Sequence, residues 1–292
     1  VESTEESVLK NNTFINDTFP YMLSGGRFRA SGNYVASPDP ARVPIDYTHH
    51  AGTLIAGAPG LTFLAEGVAL ITEHNVFEHN VVEGGIADGY QIVSETGGTV
   101  RNNLFRNSVF NDMGIYGTFA VALGLGGDIV DNAFVRNTLS GSERFGLLFW
   151  NLAGSNIDGN LFVGNEMTGN FWSGRGALLF GTTNSIMLNN KISGATIGMP
   201  EYGADVYLGH SNLVLLNDTN AYVAAFFDAS PGGLFASTDP AAVAVDEAYN
   251  PVEALDPLAD FTRLLDCEDH LKDTESVQDF KECVSEAIEE LD

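Results

Sequence analysis

Two arginines one repeat apart, Arg144 and Arg175, stand beside Tyr116, Phe145 and Tyr202. A guanidinium flanked by aromatic rings can stack on a sugar ring or pair with its carboxylate. Arg144, Arg175, Tyr116 and Tyr202 therefore form a candidate glycan-binding strip, with Glu143 and Glu166 as nearby carboxylates for proton transfer. The competing reading of the strip is a solvated edge or a protein contact. His49-His50 follows Asp46 and Tyr47, yet no cysteine or spaced ligand accompanies the pair, so neither a metal site nor an acid/base role is assigned to it. His74 and His79 lie five apart, and on one strand that spacing points to opposite faces. No phosphate loop, nucleophile elbow, zinc signature or EF-hand spacing occurs.

These residues sit within a repeat. Asn75-Val76-Phe77, Asn103-Leu104-Phe105, Asn132-Ala133-Phe134 and Asn160-Leu161-Phe162 share one phrase, and a degenerate Asn190-Lys191-Ile192 follows, so the apolar member steps by 28, 29, 28 and 30. A glycine column runs alongside at Gly89, Gly117, Gly146, Gly176 and Gly203. Each unit reads as short runs of Val, Ile, Leu and Phe punctuated by Gly, Asn, Ser and Asp, which are strand and turn signals, and helical spacing is absent from 71–220. Strands recurring once per turn in one direction pair in parallel, so the chain is expected to be an all-β, single-stranded parallel β-helix. In that fold Asn75, Asn103, Asn132 and Asn160 would form a corner ladder of side-chain amides. Phe77, Phe105, Phe134 and Phe162 would stack along the interior.

The phrases Gly-Asn-Leu-Phe-Val-Gly-Asn at 159–165 and Thr-Asn-Ser-Ile-Met-Leu-Asn-Asn-Lys-Ile-Ser-Gly at 183–194 resemble the right-handed parallel β-helix repeats of the pectin-lyase-like superfamily. The resemblance covers about residues 71–220. It implies a right-handed coil and admits lyases, glycosidases, epimerases, tailspikes and surface proteins, without choosing among them. Enzymes of that superfamily carry their sites on an outer face, lyases with a basic residue and glycosidases with close aspartates, including Asp-Asp. This chain has no Asp-Asp, no Arg-x-x-Arg, and within the coils only Lys191 among lysines. That weakens both enzymatic assignments.

The 292 residues carry a formal charge of −26, from 13 Lys and Arg against 39 Asp and Glu. Nucleic acid is a poor partner for such a surface. Polyanionic glycans would need a bridging divalent cation, so calcium-dependent use of the charge is one explanation of it. Adaptation to a saline medium explains the charge equally well. No apolar run is long enough to cross a membrane. The start at Val1 suggests a secreted or cell-surface chain whose leader has been removed.

Five segments follow: 1–19, a repeat-like N-terminal strand carrying Asn12-Thr13-Phe14; 20–70, an irregular insertion and first coil; 71–220, the regular coils; 221–257, a connecting segment packing on the solenoid; and 258–292, an acidic helical hairpin. The insertion is either a loop arm or the sign that the first strand detaches and pairs elsewhere. In the hairpin, Leu258, Phe261, Leu264, Leu265 and Leu271 share one face, as do Val277, Phe280, Val284, Ile288 and Leu291, with Asp273-Thr274 as turn and cap. Cys267 and Cys283 are placed to cross-link it, which points to an oxidising compartment; free thiols are the alternative. The hairpin would cap one end of the solenoid or lie along a flank.

Apolar residues without alternation, as in Leu147 to Trp150 and Ala177 to Phe180, suggest a sheet covered on both faces, with residues 221–255 or a second subunit as the cover. The expected function is a structural or adhesive solenoid that associates with copies of itself or with a surface polysaccharide. A polysaccharide lyase, a glycoside hydrolase or a passive glycan-binding module is the alternative.

Overall fold

The computed structural model describes residues 7–15, 21–24, 28–32, 34–36, 61–65, 71–83, 90–95, 98–114, 120–125, 127–142, 147–151, 154–169, 175–193, 202–207, 212–218, 224–228, 234–236, 244–245, 255–256, 259–274 and 276–291. His49, His50, Tyr116, Glu143, Arg144, Phe145 and three of the column glycines, Gly89, Gly117 and Gly146, lie outside the described residues.

The described strands form a parallel β-helix, and one coil shows the plan. Tyr90–Glu95, Thr99–Arg101, Leu104–Arg106 and Val109–Gly114 follow one another along the chain, each pairing in parallel with its equivalents in the coils before and after. They belong, in that order, to a long-strand sheet of nine strands, a short sheet of four, a phenylalanine sheet of nine and a polar sheet of seven, counted among the described residues.

The two corners flanking the phenylalanine sheet explain why this sequence coils. At each, one residue takes a left-handed backbone and the next turns its side chain inward. His74, Asn102, Asp131, Gly159 and Asn184 hold the left-handed position at the first corner, ahead of buried Asn75, Asn103, Asn132, Asn160 and Ser185. His79, Asn107, Arg136, Gly164 and Asn189 do so at the second, ahead of Asn80, Ser108, Asn137, Asn165 and Asn190. The residue before the ladder asparagine, not the asparagine itself, therefore absorbs the unfavourable backbone.

Each buried amide then links two coils. The Asn103 Oδ1 accepts from both the backbone N–H (3.1 Å) and the Nδ2 (2.7 Å) of Asn75, and Asn132 and Asn160 repeat the arrangement upward. Sequence inspection missed the second ladder, through Asn137, Asn165, Asn190 and Asn217.

Between the ladders Phe77, Phe105, Phe134 and Phe162 stack with ring centroids 5.4, 4.6 and 5.4 Å apart. Met187, Val214 and Phe235 continue the column. Asn190-Lys191-Ile192 is thus not the fifth copy of the phrase. Ile192 pairs with Met167 in the polar sheet, and the fifth copy is Ser185-Ile186-Met187, 25 residues after Phe162 because that coil is shorter. The glycine column departs from the register in its first two steps only, since its last two, 30 and 27, equal those from Leu147 to Ala177 and from Ala177 to Ala204. Long-strand partners step by 30 from Tyr90 to Ala120 and by 27 from Ala120 to Leu147, against 28 and 29 for the glycines.

At the N-terminus Ser7–Lys10 pairs with Phe28–Ser31, and Thr13–Ile15 with Tyr34–Ala36, so the first segment stays in the stack instead of detaching. Tyr21–Ser24, Phe28–Ser31 and Tyr34–Ala36 supply strands of a coil within the stretch read as an insertion. Between residues 221 and 257, the described strands Ala224–Asp228, Leu234–Ala236 and Ala244–Val245 extend the two nine-stranded sheets. The apolar pairs there fit the parallel register of the coil beneath, which uses the same backbone edge.

The C-terminal helices α1 (Thr262–Thr274) and α2 (Val277–Glu289) are joined by the Cys267–Cys283 disulfide, with Cα atoms 5.8 Å apart. Closing a loop of this size contributes about 3 kcal/mol by the chain-entropy relation. The cap of α2 is Ser276, whose hydroxyl accepts from the Asp279 N–H, rather than Asp273-Thr274. The hairpin lies along the flank of the phenylalanine sheet. Phe261, Leu264, Leu271, Phe280, Val284 and Ala287 pack on Leu104, Val135, Leu161, Val163, Ile186 and Leu188, while Leu265 stays exposed. Strands such as Leu161–Val163 are consequently buried at every position. Among the described residues this is the sheet seen covered on both faces; the sequence had pointed to the long-strand sheet.

Candidate functional site

Two outward surfaces carry the side-chain organisation of the described molecule. The first is the seam where the hairpin grips both corners of the phenylalanine sheet. From α1, Glu268, only 7% exposed, accepts from Arg136 Nε (2.6 Å) and Asn189 Nδ2 (2.8 Å), both left-handed residues of the second corner, and Asp269 accepts from Arg136 Nη2 (2.9 Å). From α2, Lys281 donates to Asp131 at the first corner. The hydrogen bond to Glu268 raises the Arg136 pKa above its ordinary value, with burial opposing it.

Both corners of the intervening coil are glycines. A Cβ on Gly159 would meet the Lys281 ammonium and the Asp131 carboxylate, and a Cβ on Gly164 would come within 2.6 Å of Glu268 Oε1. These two positions serve twice: they accept the left-handed backbone and leave room for the hairpin's charged side chains to reach across. The sequence carried that signal, since one coil alone, among those from His74 to Asn189, has glycine at both corners.

Beside the seam lies a cavity of about 50 Å³ lined by Leu104, Arg106, Asn107, Val135, Arg136 and Leu271. It is water-sized. Arg106 donates to Glu78 at 2.9 Å, so an ion pair within the chain borders this part of the seam.

At the start of α1, exposed Asp260 accepts from the Thr262 hydroxyl (2.6 Å) and N–H (3.1 Å), and these bonds lower its pKa below 3.8, the hydroxyl more than the N–H. A lowered folded-state pKa gives a contribution that is complete above the unfolded value and is lost as pH falls through the folded one. Fraying of the first turn of α1 is therefore expected only below about pH 3.8. Hydrogen exchange at the Thr262 amide should accelerate there relative to the mid-helix amides of α2, and in Asp260→Asn the step should vanish.

The second surface is the outer face of the long-strand sheet. Leu147, Phe149, Ala177 and Leu179 are buried, facing the interior. The alternating positions form a register column of Leu64, Val93, Leu123, Trp150, Phe180 and Tyr207. Within it Trp150 and Phe180 are half-buried, with ring centroids 5.8 Å apart.

Of the glycan-strip residues, Arg175 and Tyr202 are register partners in neighbouring long strands, at positions in phase with buried Ala177 and its partner Ala204. Tyr116 and Arg144 fall outside the described residues. Glu166 is exposed on the polar sheet, 3.1 Å from Lys191 Nζ and on a different face from Arg175. His74 and His79 are exposed at successive corners. Among the described residues no group of three or more His, Cys, Asp or Glu side chains converges to hold a metal, and no helix is long and apolar enough to cross a membrane. Compared with known proteins, the chain matches no family, no curated protein and no solved structure.

Proposed function

We propose that the chain is a secreted or cell-surface β-solenoid of the pectin-lyase-like type, with a structural or adhesive role exercised by association with copies of itself. The observation that carries this reading is the apolar register column on the outer face of the long-strand sheet. The chain applies its own hairpin to the outer face of the phenylalanine sheet, and its last described strands extend the sheets. An apolar strip on an acidic protein is the kind of surface that marks a contact. The disulfide supports an oxidising, extracellular setting.

Electron microscopy and light scattering of purified protein, across salt and calcium concentrations, test the proposal. Particles larger than the 31.2 kDa chain are expected. A strict monomer in every condition would overturn it.

A second reading, glycan binding or cleavage, draws on the adjacency of Arg175 and Tyr202 in register. It requires release of reducing ends or unsaturated uronates, or sugar binding without turnover, that Arg175→Ala abolishes.

A further inference from the structure

We infer that Asn11 is the acceptor of an N-linked oligosaccharide, with Thr13 as the hydroxyl residue that completes the recognition triplet. The inference rests on the secreted or cell-surface reading above, because this modification is made on exported chains.

Three Asn-x-Ser/Thr triplets occur in the sequence, starting at Asn11, Asn16 and Asn217. Attachment replaces one hydrogen of the asparagine Nδ2 by a bulky sugar, so the side chain needs open solvent and an amide that the fold does not consume. Asn217 fails on both counts. It is 5% exposed, its Nδ2 donates to the Met187 (2.9 Å) and Leu215 (3.1 Å) carbonyls, and its Oδ1 accepts from Asn190. A sugar there would break the second ladder. Asn16 lies outside the described residues.

Asn11 differs because of where the corner puts it. At the second corner the left-handed residue stands outward, the next turns toward the ladder, and the third opens the polar sheet on its outer face. Asn11, with φ 55°, is exposed, Asn12 is half-buried, and Thr13, the partner of Tyr34, is exposed. The first and third residues of the triplet, which are the two that the attaching enzyme must read, therefore share the surface. In the later described coils the same two positions hold other pairs, such as His79 with Val81 or Arg136 with Thr138, and never Asn with Ser or Thr.

The surroundings leave room. The Asn11 Oδ1 lies against Gly32, where a Cβ would come within 2.5 Å of it, so the next coil sets no side chain at this corner to crowd a sugar. Arg136, where Glu268 of the hairpin grips the same corner, is four strands further along the polar sheet, about 19 Å away. Val8, 61% exposed, and Lys10, also exposed, show that the strand leading into the corner lies open too.

The test is the full chain carrying a secretion leader, exported by eukaryotic cells in culture and treated with a glycosidase that releases the sugar and leaves Asp in place of the acceptor Asn. Peptide mass spectrometry should find residue 11 converted and residue 217 unconverted. Thr13→Val should abolish conversion at residue 11 and Thr13→Ser should retain it, with far-UV circular dichroism unchanged in both, because residue 13 is exposed.

Exported protein with residue 11 unconverted, or conversion there that survives Thr13→Val, would overturn this inference and spare the extracellular reading. Conversion of residue 217 in the folded, exported chain would overturn the burial argument that singles out Asn11. A chain that stays inside the cells of its own source, with Cys267 and Cys283 reduced, would overturn the extracellular reading and this inference with it.

Discussion

Asn165→Leu is expected to leave the chain largely unfolded at 25 °C, or to lower its Tm by about 8 °C or more. The Asn165 Oδ1 accepts from the Asn137 N–H (3.0 Å) and Nδ2 (3.1 Å), and its own Nδ2 donates to the Phe134 carbonyl (2.9 Å) and the Asn190 Oδ1 (2.9 Å). Leucine is close in size but returns none of these bonds. Four hydrogen bonds would be lost in the interior, each worth about 1 kcal/mol, and the Asn137 N–H would lose its acceptor, while Asn137 Nδ2 keeps the Phe105 carbonyl and Asn190 Oδ1 keeps the Asn165 N–H. A sum of about 4 kcal/mol or more is comparable with the whole stability of an ordinary domain. Thermal melts of Asn165→Leu beside Glu166→Gln, a neighbouring exposed site, check this. A shift of only a few degrees would mean that the second ladder does not bind the coils together.

Phe134→Ala is the second large effect. The Phe134 ring is fully buried, stacked between Phe105 and Phe162 and met edge-on by Phe149 at 5.6 Å. Removing it deletes about 3–5 kcal/mol of burial and leaves a cavity that stacked parallel coils collapse poorly to fill. Phe134→Leu should lose markedly less, since most of the volume is kept. Urea melts separate the two outcomes, because a change in midpoint without a change in slope reports stability alone. Equal losses for alanine and leucine would show that the ring's shape, not its volume, matters in the column.

The columns of Asn and Phe were legible because the fold buries the same position in every coil, so the same side chain is favoured each time. Where that demand relaxed, the signal failed. Ser185 and Met187 satisfy the ladder and the stack with different side chains, and the nearest Asn-x-apolar phrase starts at Asn190, which is a true ladder residue of the other corner. The second ladder was visible in outline as an asparagine five residues after Asn75, Asn132 and Asn160, but nothing in one copy says that a three-residue strand separates two corners.

Hairpin formation could be read from its amphipathic spacing and paired cysteines. Its docking site could not, because Glu268 and Lys281 find partners 132 and 150 residues away along the chain. The one local hint was the glycine pair Gly159 and Gly164. The glycan strip was legible only in part: Arg175 and Tyr202 are register partners, while Tyr116 and Arg144 lie outside the described residues.

Everything above depends on successive coils lying in register and in parallel. Disulfide formation between cysteines placed at Thr138 and Glu166 tests this directly. These residues are partners on the outer face of the polar sheet, and parallel neighbours about 4.8 Å apart fall within disulfide reach. Lys191, one coil further, pairs with Glu166 and lies about twice that distance from Thr138. Thr138→Cys/Glu166→Cys should oxidise to an intramolecular bond in the folded protein, and Thr138→Cys/Lys191→Cys should not. Equal bonding in both pairs, or none in the first, would contradict the stacked parallel solenoid.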